Sequence, residues 1–83
     1  MNSPLDVPGL GDYVDLQEIL AHPSVSRIFP TEQSLRWFVR THREELANSG
    51  ALISLTNRLK FHPATFERSV VDIGRRELLR RGA

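Results

Sequence analysis

Residues 30–50 admit one reading. Thr31 follows Pro30 and can cap a helix, Glu32 complements the positive end of the helix dipole, and Ser49-Gly50 supplies a stop. Between them Leu35, Phe38, Val39, His42 and Leu46 fall on a single face at helical spacing, which predicts one long helix over residues 32–48. That apolar face must be covered. In a chain of 83 residues the rest of the sequence can build only one modest core around it.

The flanking segments supply the cover. Asp12 or Asp15 can cap a short first helix, with Glu18 three residues after Asp15 in a capping-box arrangement, and Val14, Leu16, Ile19 and Leu20 as its apolar positions. His22-Pro23 ends that helix. Residues 24–30 read as a connector with room for one helical turn, its Val25, Ile28 and Phe29 plugging into the core. After the long helix, two short segments flank Thr56-Asn57; in the second, Leu59 and Phe61 alternate with Arg58 and Lys60, as in a hairpin strand with one wet face. Pro63 then opens a last helix whose stripe is Phe66, Val70 and Ile73. Residues 75–81 either extend that helix or fray. The expected fold is mainly α with a small β-hairpin: helix, connector, long helix, hairpin, helix. The expected division is a flexible acidic leader over residues 1–11, a folded domain over 12–74 and a basic helix end or tail over 75–83.

Several classes of function lack their residues. With no cysteine there is no disulfide scaffold, thiol nucleophile or Cys-based zinc site, which fits the cytoplasm. No apolar run approaches the roughly 20 residues that span a bilayer, and the first residues lack a signal-peptide layout, so the expectation is a soluble, unexported protein without a membrane partner. There is no Gly-rich phosphate loop, nucleophile elbow or His-Glu-x-x-His zinc motif. His22, His42 and His62 are too dispersed to pair as ligands, and His42 reads as a satisfied core histidine. Glu44 and Glu45 are adjacent on a helix and diverge. No catalytic residue, metal, cofactor or small-molecule substrate is expected.

Charge is distributed unevenly. Residues 1–26 hold Asp6, Asp12, Asp15 and Glu18 with no Lys or Arg, a charge of −4, whereas residues 27–83 hold all 11 basic side chains against six acids, a charge of +5. On the long helix, Arg36, Arg40 and Arg43 stand at i, i+4 and i+7, with Gln33, Ser34 and Thr41 around the same helix. Such a surface suits the major groove, where Arg pairs with guanine and Gln with adenine, or either holds a phosphate. It equally suits a solvated face laced by the i, i+4 pairs Glu32–Arg36 and Arg40–Glu44. Trp37 lies away from the apolar stripe; it either packs under the connector against Ile28 and Phe29 or meets a protein partner. Arg58 and Lys60, with Asn57 at the tip, make the hairpin basic. A basic hairpin beside a basic helix is the layout of a winged helix-turn-helix. Arg75, Arg76, Arg80 and Arg81 are either further phosphate contacts or a solvated tail.

Three stretches carry a resemblance. Thr31-Glu32-Gln33-Ser34-Leu35-Arg36-Trp37-Phe38, then Asn48-Ser49-Gly50-Ala51-Leu52-Ile53, then Asn57-Arg58-Leu59-Lys60-Phe61-His62-Pro63-Ala64-Thr65-Phe66 resemble the small excisionase-like, MerR-like winged-helix proteins of prophages, plasmids and integrative elements. The resemblance covers about residues 15–74, and Ser34 to Trp37 and Arg58 to Phe66 are its most specific parts. It implies that the helix bearing Gln33, Ser34, Arg36 and Arg40 faces the major groove and that Arg58 and Lys60 belong to the wing. The chain departs from the family pattern at Asn57, where a glycine is usual, in the longer and more charged residues 41–48, and in its acidic leader.

The expectation is therefore a non-catalytic winged helix-turn-helix that binds duplex DNA through Gln33, Ser34, Arg36, Arg40 and Arg43 on the helix and Asn57, Arg58 and Lys60 on the wing. Arg75 and Arg76 are candidate phosphate contacts, and a homodimer or cooperative array would lengthen the site read. Its role would be an excision-directing accessory factor or a regulator of a mobile element. The competing expectation is a protein-binding adaptor or inhibitor of the same shape, centred on Trp37.

Overall fold

The computed structural model describes residues 9–81; the greater part of the expected leader lies outside them. A 3-10 turn, Leu10–Asp12, leads into strand β1 (Val14–Asp15), and four helices follow: α1 (Leu16–Leu20), α2 (Pro23–Ile28), α3 (Glu32–Thr41) and α4 (Arg43–Ser49). Strands β2 (Leu52–Leu55) and β3 (Arg58–Phe61) form the hairpin, and α5 (Pro63–Arg80) closes the chain. The sheet is antiparallel in the order β1-β3-β2. This is a mainly α protein with a small sheet in a winged helix-turn-helix-like arrangement.

Local chemistry places most element ends. Asp15 caps α1, with Glu18 Oε1 accepting from the Asp15 N–H at 3.0 Å. Gly50 ends α4 with a φ of 84°, and the Ala51 N–H returns to the Leu46 carbonyl at 3.0 Å. Pro63 is the first residue of α5, and His62 Nδ1 accepts from the Thr65 N–H at 3.3 Å.

The helix expected over residues 32–48 occupies that span in two pieces. At His42, with φ −118° and ψ 28°, α3 ends and α4 begins. The Thr41 hydroxyl donates back to the Trp37 carbonyl at 2.8 Å, a bond that bends helices, and the His42 ring meets Phe38 at 4.6 Å in a tilted arrangement. The connector is likewise more regular than expected, because Pro23 starts α2 at its first position. Strand β1 has no counterpart in the sequence reading: Val14, taken as a helix position, pairs with Phe61, and Asp15 with Lys60.

Ile19, Leu35, Leu46, Phe61 and Phe66 are fully buried, and Val25, Phe29, Val39, Leu52 and Ile73 complete the core. Phe61 meets Phe66 edge-on at 5.3 Å, while Phe29 packs on Phe38 at 5.0 Å. The expected stripe of the last helix holds, with Phe66 and Ile73 buried and Val70 packed against the core. Ile28 departs from expectation: it is 59% exposed.

The two-residue hairpin loop puts both Thr56 (φ 49°) and Asn57 (φ 65°) in the left-handed region, as a type I′ turn requires. Asn tolerates that region, but a β-branched Thr does so at a cost. Thr56→Asn is therefore expected to stabilise the protein by about 0.5–1 kcal/mol, read as a higher urea midpoint at unchanged slope.

Candidate nucleic-acid interface

Helix α3 is fixed at its N-terminus by reciprocal hydrogen bonds. Thr31 Oγ1 accepts from the Ser34 N–H at 3.0 Å, and Ser34 Oγ donates to the Thr31 carbonyl at 2.7 Å. Ser34 thus serves the cap of the helix on which it was expected to read DNA. Gln33, Arg36, Trp37 and Arg40 are exposed along the next turns.

Arg36 is held in place. Its Nε donates to Glu32 Oε2 at 2.7 Å, and Glu32 Oε1 accepts from Gln17 Nε2 at 2.9 Å, which ties α3 to α1. With Nε engaged, the two terminal amino groups of the guanidinium remain for an outside acceptor. The Arg36 and Gln17 hydrogen bonds hold the Glu32 carboxyl below its ordinary range.

The wing reaches the same place. Arg36 and Arg58 line one cleft of about 380 Å³, together with Asn57, Leu59 and the start of α1 from Asp15 to Glu18. Helix and hairpin residues that lie 22 positions apart in sequence thus share one surface. That surface is not purely basic. Lys60 is half-buried and bonded to Asp15 on the neighbouring strand, and this contact, with Arg58 adding to it, holds the Asp15 carboxyl low. Since both carboxyls stay ionised further into acid than in the unfolded chain, their pairs support the fold above the ordinary carboxylate range and lose that support as pH falls through the lowered values.

The other basic residues separate. Arg40 is exposed and makes no ion pair among the described residues. Arg43 opens α4, beyond the bend, so the three-arginine stripe is carried by two helices. The expected Arg40–Glu44 pair is absent among the described residues, because the turn at His42 interrupts the i, i+4 geometry. Arg76 pairs with Glu45 of α4, and Arg75 approaches Asp72 at 3.9 Å. These two arginines lie with Glu45 on a surface that shares no residue with the Arg36–Arg58 cleft. Arg80 stays within α5, which extends the basic segment as helix.

Trp37 does not pack under the connector. It is 62% exposed, while Phe29 is buried and packs on Phe38. With Ile28, Phe29 and Phe38 it lines a shallow apolar depression beside Gln33 and Ser34. The Glu32–Arg36 pair was expected from its i, i+4 spacing, whereas Asp15 was expected only as a helix cap, and the Gln17 amide had no expected role.

A direct test of the Lys60 lock is Asp15→Asn, which keeps an N-cap acceptor and frees the ammonium. If duplex DNA binds this face, the variant is expected to bind severalfold more tightly and with a salt slope steeper by about one. Unchanged affinity and slope would show that Lys60 does not meet phosphate.

Among the described residues no group of three His, Cys, Asp or Glu side chains is placed to hold a metal ion, and no helix is long and apolar enough to cross a membrane. Comparison of the chain with protein-family models, with curated proteins and with solved structures finds no match.

Proposed function

We propose that this protein binds duplex DNA without catalysis, with α3 in the major groove and the β2–β3 hairpin as a wing on the adjoining backbone. The observation that carries the reading is the convergence of Arg36 and Arg58 on one cleft, with Arg40 further along the same helix. Glu32 and Gln17 orient Arg36, so the guanidinium approaches an acceptor with little freedom left to lose. Gln33, Arg36 and Arg40 are the base-reading candidates; Asn57, Arg58 and Lys60 are assigned to phosphates, and Arg43, Arg75 and Arg76 to outlying contacts. Ser34 acts through the cap. The resemblance to excisionase-like and MerR-like proteins extends the proposal to an excision-directing or regulatory factor of a mobile element, acting in the cytoplasm where that DNA lies.

Fluorescence anisotropy of a random-sequence duplex, titrated at several salt concentrations, tests it. With about five phosphates contacted, log K is expected to fall against log salt with a slope of about −4 to −5. No binding at low salt would refute the DNA reading.

The exposure of Trp37 and Ile28 favours a second reading, a protein-binding adaptor of the same shape. It requires affinity that resists salt and collapses on Trp37→Ala.

A further inference from the structure

Helix α5 is apolar on two sides. Phe66, Ser69 and Ile73 are buried against the core. The face centred on Gly74 carries Glu67, Val70, Val71, Glu77, Leu78 and Arg81, at three, four and seven residues on either side, with the Glu77 carboxylate turned toward His42 of the same chain at 3.8 Å. Val71 is 59% and Leu78 61% exposed. Between α2 and α5 lies a groove of about 140 Å³ lined by Val25, Ile28, Phe29, Phe66, Val70 and Val71, with Glu67 at its rim bonded to Ser24 at 2.7 Å.

Gly74 is unexplained by the single chain. It sits in mid-helix, where glycine is a poor residue, and a Cβ built there meets nothing within 4 Å. Neither its backbone nor its own surroundings require it. A bare backbone at that point does suit the close approach of a second helix.

We propose that a second copy of this chain docks antiparallel on α5, the two helices crossing at Gly74, with Leu78 of each copy seated in the α2–α5 groove of the other. The register follows from the sequence. In an antiparallel crossing at Gly74, Leu78, four residues after it, lies opposite Val70, four before; Arg81, seven after, lies opposite Glu67, seven before. One crossing therefore brings an exposed leucine to an apolar groove and an arginine to a carboxylate, twice over by symmetry. Arg81 makes no ion pair among the described residues. The contact is small, so association on the order of micromolar or weaker is expected. It involves none of the residues assigned to DNA on α3 or the wing and stands or falls without that reading.

Sedimentation equilibrium of the full chain over a wide concentration range, without DNA, tests the proposal. A reversible monomer–dimer equilibrium is expected, abolished by Leu78→Asp. Gly74→Leu separates a close crossing from general stickiness, because it adds apolar surface yet is expected to weaken the dimer at least about tenfold. Arg81→Glu is expected to weaken it roughly tenfold, and the added Glu67→Arg to restore it. Circular dichroism of dilute samples verifies that each variant is folded. A monomer at every concentration overturns the proposal, as does a dimer that Gly74→Leu leaves unchanged or strengthens.

Discussion

Phe61→Ala is expected to destabilise the protein by about 3–5 kcal/mol, the usual cost of emptying a buried phenylalanine site. Phe61 is fully buried and stands in the central strand, where it pairs with Val14 on one side and Leu52 on the other. Its ring also meets Phe66 at 5.3 Å, so truncation removes support from the sheet and from α5 together. A domain of this size has roughly 4–12 kcal/mol of total stability. The variant should therefore be largely unfolded at physiological temperature, or unfold at a much lower urea midpoint. Far-ultraviolet circular dichroism is the appropriate signal, since the Trp37 indole is already exposed in the native state. Leu55→Ala on the neighbouring strand, at a partly exposed position, should change stability by no more than about 0.5 kcal/mol. Equal losses at the two sites would mean that Phe61 is not the centre of the core.

The second large effect is electrostatic. With a slope near −4.5, raising salt from about 50 to about 200 mM lowers DNA affinity roughly 500-fold. Removing one phosphate-contacting arginine reduces the slope by about one. Arg36→Ala and Arg40→Ala differ beyond that shared term. Loss of Arg36 leaves the Glu32 carboxylate with only the Gln17 amide, a negative charge now facing the phosphates, whereas loss of Arg40 unmasks no partner. Arg36→Ala should accordingly cost more affinity than Arg40→Ala at low salt, while Arg40→Ala leaves the thermal melt unchanged and Arg36→Ala lowers it only slightly, since the Glu32 pair it removes is exposed. Binding by the double variant equal to that of the parent would remove α3 from the interface.

Much of the fold was legible because its signals are local. The caps at Asp15 and Thr31, the stop at Gly50 and the start at Pro63 involve partners within four or five residues along the chain. The core stripes of α3 and α5 follow from helical periodicity in the same way. The break at His42 has no Gly or Pro to mark it; a hydroxyl-to-carbonyl bond from Thr41 and a tilted contact between the His42 and Phe38 rings accompany it. Strand β1 was not legible because two residues are too few to show alternation, and its existence depends on β3 lying alongside.

The candidate site divides along the same line. Sequence alone determined which side chains are basic, that Arg36 and Arg40 share a helix face, that Glu32 can pair with Arg36, and that Arg58 sits beside a tight turn. Each of these depends on spacings of a few residues. Only the tertiary structure decided which basic groups remain available. Asp15 and Lys60 are 45 residues apart and meet because the β1–β3 register brings them together; Glu45 reaches Arg76 because α4 packs on α5. Trp37 stays at the surface, while Phe29 from the connector is buried against Phe38. Charge and periodicity belong to the chain, but pairing and exposure depend on which distant residue arrives first at the same point in space.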